Sequence, residues 1–117
     1  MIENIAKLHI AALPHTSSSR RGVNHVSLLY KIVSKIGNIK VVKREGKIVG
    51  AMSYVGRLIL TLVVHPEWQR KGIGKELINK LAGTAWVYTE QCSVGFYEKM
   101  GFVKKFEIGK TVFLCRK

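Results

Sequence analysis

Seven residues, Leu58 to Val64, form an apolar run broken only by Thr61, which leads through His65-Pro66 into a glycine-bearing loop and then a helical stripe. Apolar residues on both faces predict a central, buried strand, and Pro66 ends it. Beyond the loop, Ile73, Leu77, Ile78 and Leu81 recur at helical spacing up to Gly83, and Ala85 to Thr89 make a brief strand. This strand–helix–strand unit requires a fold that layers helices on a sheet.

The flanking segments fit such a fold. Ile2, Ile5, Ala6, His9 and Leu13 predict a first helix that stops at Pro14, and Val26, Leu29, Tyr30, Val33 and Ile36 predict a second that closes at Gly37-Asn38. Between them, Pro14 to Asn24 holds Thr16, three serines, Arg20, Arg21 and Gly22 with almost nothing to bury, and reads as a mobile connection. The period changes at Ile39. Ile39 to Lys43 and Ile48 to Tyr54 form a hairpin around Arg44-Glu45-Gly46-Lys47, and a turn at Gly56 leads into the apolar run. Val94, Phe96, Tyr97 and Met100 mark a fourth helix ended by Gly101, and strands at Val103 to Ile108 and Thr111 to Cys115 follow. The expected order is α-α-β-β-β-α-β-α-β-β, in a single domain over residues 1–117 with no repeat or linker.

Composition narrows the function. The chain has 117 residues, 47% hydrophobic, enough for one core. Lys and Arg number 20 against 7 acids, all glutamate, and a formal charge of +13 disfavours polycationic ligands. No apolar run approaches the roughly 20 residues of a membrane span, and no charged segment precedes a continuous apolar one as in a secretory signal. Cys92 and Cys115 read as reduced core thiols, which points to the cytoplasm. His9, His15, His25 and His65 lack HExxH spacing and there is no CxxC, so no metal is expected.

The segment from Leu62 to Lys75, a buried strand running into a glycine-bearing loop and then a helix, is suited to an anion. Helix N-termini expose unpaired N–H groups at the positive end of the macrodipole, Gly72 and Gly74 permit close approach, and Arg70, Lys71 and Lys75 add charge. Neither the Walker pattern nor the dinucleotide fingerprint fits: Gln69 and Leu77 stand where each would need glycine.

The string Val64-His65-Pro66-Glu67-Trp68-Gln69-Arg70-Lys71-Gly72-Ile73-Gly74 resembles the acyl-CoA loop of the GNAT superfamily of N-acyltransferases, and Phe96-Tyr97-Glu98-Lys99-Met100-Gly101-Phe102 resembles its F-Y-x-x-x-G-F helix. The resemblance implies an α+β sandwich: a mixed, mostly antiparallel sheet with helices on both faces and a splayed parallel strand pair. It implies that the backbone of Arg70, Lys71, Gly72, Ile73, Gly74 and Lys75 holds the CoA pyrophosphate. Leu62, Val63 and Val64 would line the pantetheine arm, and Tyr97 would point its phenol at the thioester sulfur. A phenol of pKa about 10 is protonated at neutral pH and can donate to a thiolate of pKa about 8.5. The implied activity is acetyl transfer from acetyl-CoA to a primary amine of a small molecule or peptide, by direct attack in a ternary complex.

Three departures from the family pattern matter. No strand is expected before the first helix, which leaves three readings of that sheet edge: missing, shortened, or supplied by a partner chain in a homodimer. Glu90 stands seven residues before Tyr97, where many members carry a cofactor-binding Asn, and an ionised carboxylate cannot donate. The strand from Arg57 to Val64 has no carboxylate to serve as base, and His65 at its end is the nearest substitute. The resemblance implies that the acceptor enters opposite the pyrophosphate, between the first-to-second-helix connection and the last hairpin, and Arg20, Arg21 and Lys110 on those edges favour an amine that also carries a carboxylate or phosphate. Two alternatives stand beside the enzyme: a noncatalytic acyl-CoA binder, and a basic nucleic-acid module using Lys40, Lys43, Arg44, Lys47, Lys104 and Lys105. No nucleic-acid-binding pattern accompanies those bases, so the last is the weaker.

Overall fold

The structure is a computed structural model that describes residues 1–14 and 16–117. Its elements are α1 (Ile2–Ala12), α2 (Ser17–Arg20), α3 (Val23–Ile36), β1 (Asn38–Arg44), β2 (Lys47–Val55), β3 (Leu58–Val64), a short 3-10 turn (Pro66–Trp68), α4 (Ile73–Asn79), β4 (Ala85–Glu90), α5 (Gln91–Lys99), β5 (Val103–Ile108) and β6 (Thr111–Arg116). Among the described residues six strands form one sheet in the order β1-β2-β3-β4-β6-β5, in which only the β3–β4 contact is parallel. Helices cover both faces. Ile5, Ala6 and Leu8 of α1 and Val26 and Tyr30 of α3 pack against Ala51 and Val63 on one face. Ile73, Leu77 and Ile78 of α4 and Tyr97 of α5 pack with Met52, Ile59, Val87 and Leu114 on the other. The sandwich read from the sequence is the observed fold.

The polar stretch after Pro14 differs from the expected connection. Thr16 accepts the backbone N–H of Ser19 on its Oγ1 at 3.3 Å and donates to the Leu13 carbonyl at 3.1 Å, so a short helix, α2, is capped there. A threonine three residues ahead of the N–H it caps is enough to nucleate one turn. His15 lies outside the described residues. The thiols also divide: Cys115 is buried, as a core thiol should be, but Cys92 is exposed in the first turn of α5.

The β3–β4 pair is a fork. Only Leu58↔Trp86 and Ile59↔Val87 are in register, and the strands separate beyond them. Below the fork the connection is tied down. Arg57 donates from Nε to the Thr84 carbonyl at 2.6 Å and also reaches the Ala82 carbonyl, while Trp86 donates its N–H to the Arg57 carbonyl at 2.7 Å. At the fork itself β3 is bulged: Ser53 faces Thr61 and Tyr54 faces Ile59, so Leu60 is the extra residue. β3 is central, but it is less enclosed than its composition suggests. Ile59 and Val63 are buried, whereas Leu60, Leu62 and Val64 stay half-buried because no strand covers their edge. No helix among the described residues is long and apolar enough to cross a membrane.

Candidate active site

The fork opens into a cleft of about 510 Å³. Its walls are Leu62, Val63 and Val64 of β3, the loop and first turn of α4 from Gln69 to Lys75 apart from Lys71, the Ser93–Met100 face of α5, and Ala12-Leu13 at the end of α1. Of the ten residues expected to bind or react, nine therefore line one cavity. Lys71 does not. Its ammonium lies over the Trp68 ring, 5.0 Å from the centroid, which holds the charge beside the loop and outside the cleft.

The loop is shaped by two left-handed residues, Arg70 at φ 64° and Gly72 at φ 81°. Gly72 caps α4 with no side chain to satisfy the helix, and the first intrahelical bond there runs from the Glu76 N–H to the Gly72 carbonyl at 3.0 Å. Helix geometry therefore leaves the N–H groups of Gly72, Ile73, Gly74 and Lys75 without intrahelical partners. No bond to a described loop residue engages the N–H of Arg70 or Lys71. The two glycines meet different surroundings. A Cβ at Gly72 would meet nothing within 4 Å, so that position is glycine because of its φ. A Cβ at Gly74 would stand 2.8 Å from Cζ of Phe96. Phe96, the first residue of the F-Y-x-x-x-G-F string, thus lies against the first turn of α4 and lines the cleft.

The backbone of β3 is partly engaged. Gln69 donates from Nε2 to the Val64 carbonyl at 3.1 Å, closing the top of the strand and leaving Leu62 and Val63 as the open stretch. His65 cannot be counted on as a base, because its Nδ1 accepts the Glu67 N–H at 3.1 Å and caps the 3-10 turn. Glu90 does not line the cleft.

Tyr97 is wedged edge-to-face between Phe96 and Phe102, with centroids 5.1 and 5.6 Å away. Burial pushes its phenol up to about 12. No described side chain bonds that oxygen, yet no buried side-chain polar atom among the described residues lacks a partner. The oxygen must therefore reach open space, and the space the ring lines is the cleft. Sequence reasoning missed Ala12, Leu13, Trp68, Ser93 and Met100 as wall residues. Trp68 and Met100 lie within the two motif strings quoted above, which was the signal available for them, and Ala12-Leu13 are apolar at a helix end just before Pro14.

Other expected features lie elsewhere. Arg20, Arg21 and Lys110 are exposed and do not line this cleft. Lys40, Lys43, Arg44 and Lys47 sit on the β1–β2 edge, Lys104 and Lys105 on β5 at the opposite edge, so the six do not form one surface. Arg44 is paired with Glu76 at 2.6 Å. Among the described residues no group of three or more His, Cys, Asp or Glu side chains could hold a metal ion.

Comparison with solved structures gives the same fold at low identity. The chain matches PH1933 from Pyrococcus horikoshii OT3 with a TM-score of 0.82 and 20% identity, over 99% of this chain and 89% of that one. It matches the PaiA N-acetyltransferase from Thermoplasma acidophilum, solved in complex with coenzyme A, with a TM-score of 0.76 and 18% identity over 99% and 92%. An aminoglycoside 6'-acetyltransferase type Ii gives 0.80 at 14% identity over 99% and 88%. No curated protein matches the chain by sequence. Residues 35–104, which run from the end of α3 through the glycine loop and the Tyr97 helix into β5, match the acetyltransferase (GNAT) domain, and the chain belongs to that family.

Proposed function

We propose that this chain transfers the acetyl group of acetyl-CoA to a primary amine by direct attack within a ternary complex. The observation that carries this is the single cleft that joins an uncapped helix start, an open strand edge and an accessible phenol. Bound acetyl-CoA supplies an activated thioester. For the diphosphate, the N–H groups of Gly72 to Lys75 are directed donors, and Arg70 and Lys75 on the cleft wall hold the charge, with Lys71 adding to the field from beside the loop. For the arm, Leu62 and Val64 give an apolar wall, and the unpaired edge at Leu62 and Val63 gives backbone partners.

The pKa of Tyr97 defines its role. Passing its proton outright from a phenol near 12 to a thiolate near 8.5 would be uphill by roughly 5 kcal/mol. Tyr97 therefore keeps its proton and stabilises the departing sulfur by donating a hydrogen bond.

The test is binding followed by turnover. Acetyl-CoA should raise the melting temperature, by an amount that grows with concentration and corresponds to about 2.7 kcal/mol at a hundredfold excess over Kd. Free thiol should then appear on addition of members of a primary-amine panel. No thermal shift at millimolar acetyl-CoA overturns the site. A shift with no thiol release across the panel overturns the enzyme in favour of a noncatalytic binder.

A further inference from the structure

A second cavity, of about 220 Å³, opens at the same fork from the other face of the sheet. Leu60 and Tyr88 line it, and they are the first residues past the last paired positions, Ile59 and Val87. Thr61 lines it too, while its neighbour Leu62 lines the first cleft. The two cavities are thus back to back across one strand. The last turns of α1 repeat this relation, with His9 on the second cavity and Ala12-Leu13 on the first.

The second cavity has a built polar wall. His9 Nδ1 lies 2.8 Å from the Tyr30 hydroxyl, Tyr30 donates to Thr61 Oγ1 at 3.1 Å, and Thr61 lies 2.5 Å from Ser53 Oγ. His9, Tyr30 and Ser53 are all buried. With the Tyr30 proton directed to Thr61, the contact with His9 is made by a proton on Nδ1, and Nε2 keeps its lone pair; this is the tautomer the inference uses and the first arm of the test reads. Nε2 bonds no described residue, and no buried side-chain polar atom among the described residues is unpartnered. Nε2 therefore reaches open space in the cavity that His9 lines.

From this geometry we infer that His9 is the base of the reaction, its Nε2 taking the proton that the attacking amine loses, with Tyr30, Thr61 and Ser53 fixing the ring. The inference rests on the acetyl-transfer reading of the fork. In the step, the lone pair of the neutral amine forms the N–C bond to the thioester carbonyl carbon and the C–S bond breaks. The sulfur leaves as thiolate held by the Tyr97 hydrogen bond, and the proton of the new amide nitrogen goes to Nε2 and then to solvent. This places a base where β3 carries no carboxylate. The groups facing His9 are Tyr30 from α3, Ser53 from β2, Thr61 and Leu60 from β3 and Tyr88 from β4, and among the described residues no other acidic or basic side chain is on the cavity wall. On its own helix, Glu3 and Lys7 pair with each other on the exposed face. Burial holds the imidazole below its ordinary value near 6.5, so it is neutral and ready to accept at neutral pH.

The test has two arms. Nitrogen-15 NMR of the imidazoles in wild type, without acetyl-CoA, should find His9 as the Nδ1–H tautomer titrating below pH 6.5. An Nε2–H tautomer overturns the inference. In the second arm, wild type and His9→Gln are compared with ethanolamine, glycinamide and spermidine at saturating acetyl-CoA. His9→Gln should bind acetyl-CoA normally and lose about 100-fold in kcat, the low end of a general base's contribution. Wild type should show an acid limb at one pH for all amines that turn over, and the variant should lack it. Tyr30→Phe should lower kcat more than it changes KM. If His9→Gln keeps rate and limb, the inference falls and the acetyl-transfer reading stands. If wild type acetylates no amine, both fall.

Discussion

Gly50 lies on β2 beneath the start of α4, and adding one methyl group there tests how the glycine loop is positioned. A Cβ at Gly50 would stand 2.6 Å from Ile73 Cγ2 and 3.1 Å from Leu77 Cδ1. That is about 1 Å short of comfortable carbon–carbon packing. Neither neighbour has room to give: Ile73 is 2% exposed and Leu77 0%. The methyl must therefore lift the first turn of α4, which carries the loop. Overpacking of this kind costs about 1–3 kcal/mol. At roughly 4 °C per kcal/mol for a chain of this size, Gly50→Ala should lower Tm by about 4–12 °C. It should also weaken acetyl-CoA binding, although residue 50 does not line the cleft. Gly95→Ala is the control, in a helix with nothing within 4 Å of the new Cβ, and should raise stability by up to about 1 kcal/mol. Differential scanning calorimetry and isothermal titration with acetyl-CoA read both effects. A Gly50→Ala protein with unchanged Tm and Kd would refute the claim that β2 sets the height of the loop.

Gly72→Asp should weaken acetyl-CoA binding at least tenfold by placing a carboxylate at the helix start, whereas Gly72→Asn, which tolerates the left-handed backbone, should lose much less in the same titration. Tyr97→Phe keeps the ring contacts, so it should leave Kd within about twofold and slow turnover by about 100-fold in thiol release. With that phenol near 12, wild-type activity should show no loss from Tyr97 ionisation up to about pH 11. Stability should depend on His9 in a defined direction. The unfolded imidazole binds its proton at a higher pH than the folded one, so this contribution is complete above about pH 6.5, declines as pH falls below that, and levels off once the folded ring is protonated. Urea midpoints measured across that range should fall less steeply in His9→Gln, and an unchanged slope would refute the assignment.

The sequence made local chemistry legible and left long-range placement obscure. Leu58 to Val64 announced its strand, and Gly72-Ile73-Gly74 announced the loop, because turn chemistry and periodicity are properties of neighbouring residues. The separate reasons for the two glycines were not legible, since that of Gly74 depends on Phe96, 22 positions away in the chain. The short helix α2 was missed because serine-rich segments favour turns and caps alike, and only the bond from the Ser19 N–H to Thr16 decides between them. His9 counted merely as one member of an apolar stripe. Its link to Tyr30 and Thr61 joins three elements that no spacing rule connects.

The fork explains why these distant parts form one site. Two registered pairs hold β3 to β4, and Arg57 fastens the connection below them, so the opening above is built into the fold. An unpaired strand edge is costly if it is dry: each unsatisfied backbone group loses about 1–3 kcal/mol. Leu60 and Leu62 are half-buried beside that open edge, where an extended ligand could complete the pairing. A ligand arm with amide groups can add there as a strand would, and its reactive end is then carried to the depth at which pairing stops, beside Leu60 and Tyr88. At that depth the sheet is open to both faces, with the Tyr97 phenol reached from one and the His9–Tyr30–Thr61 chain from the other. A closed β3–β4 pair would separate those two groups by a continuous sheet, so in the proposed reaction it is the missing hydrogen bonds of the strand pair that would let a donor and an acceptor work from opposite faces.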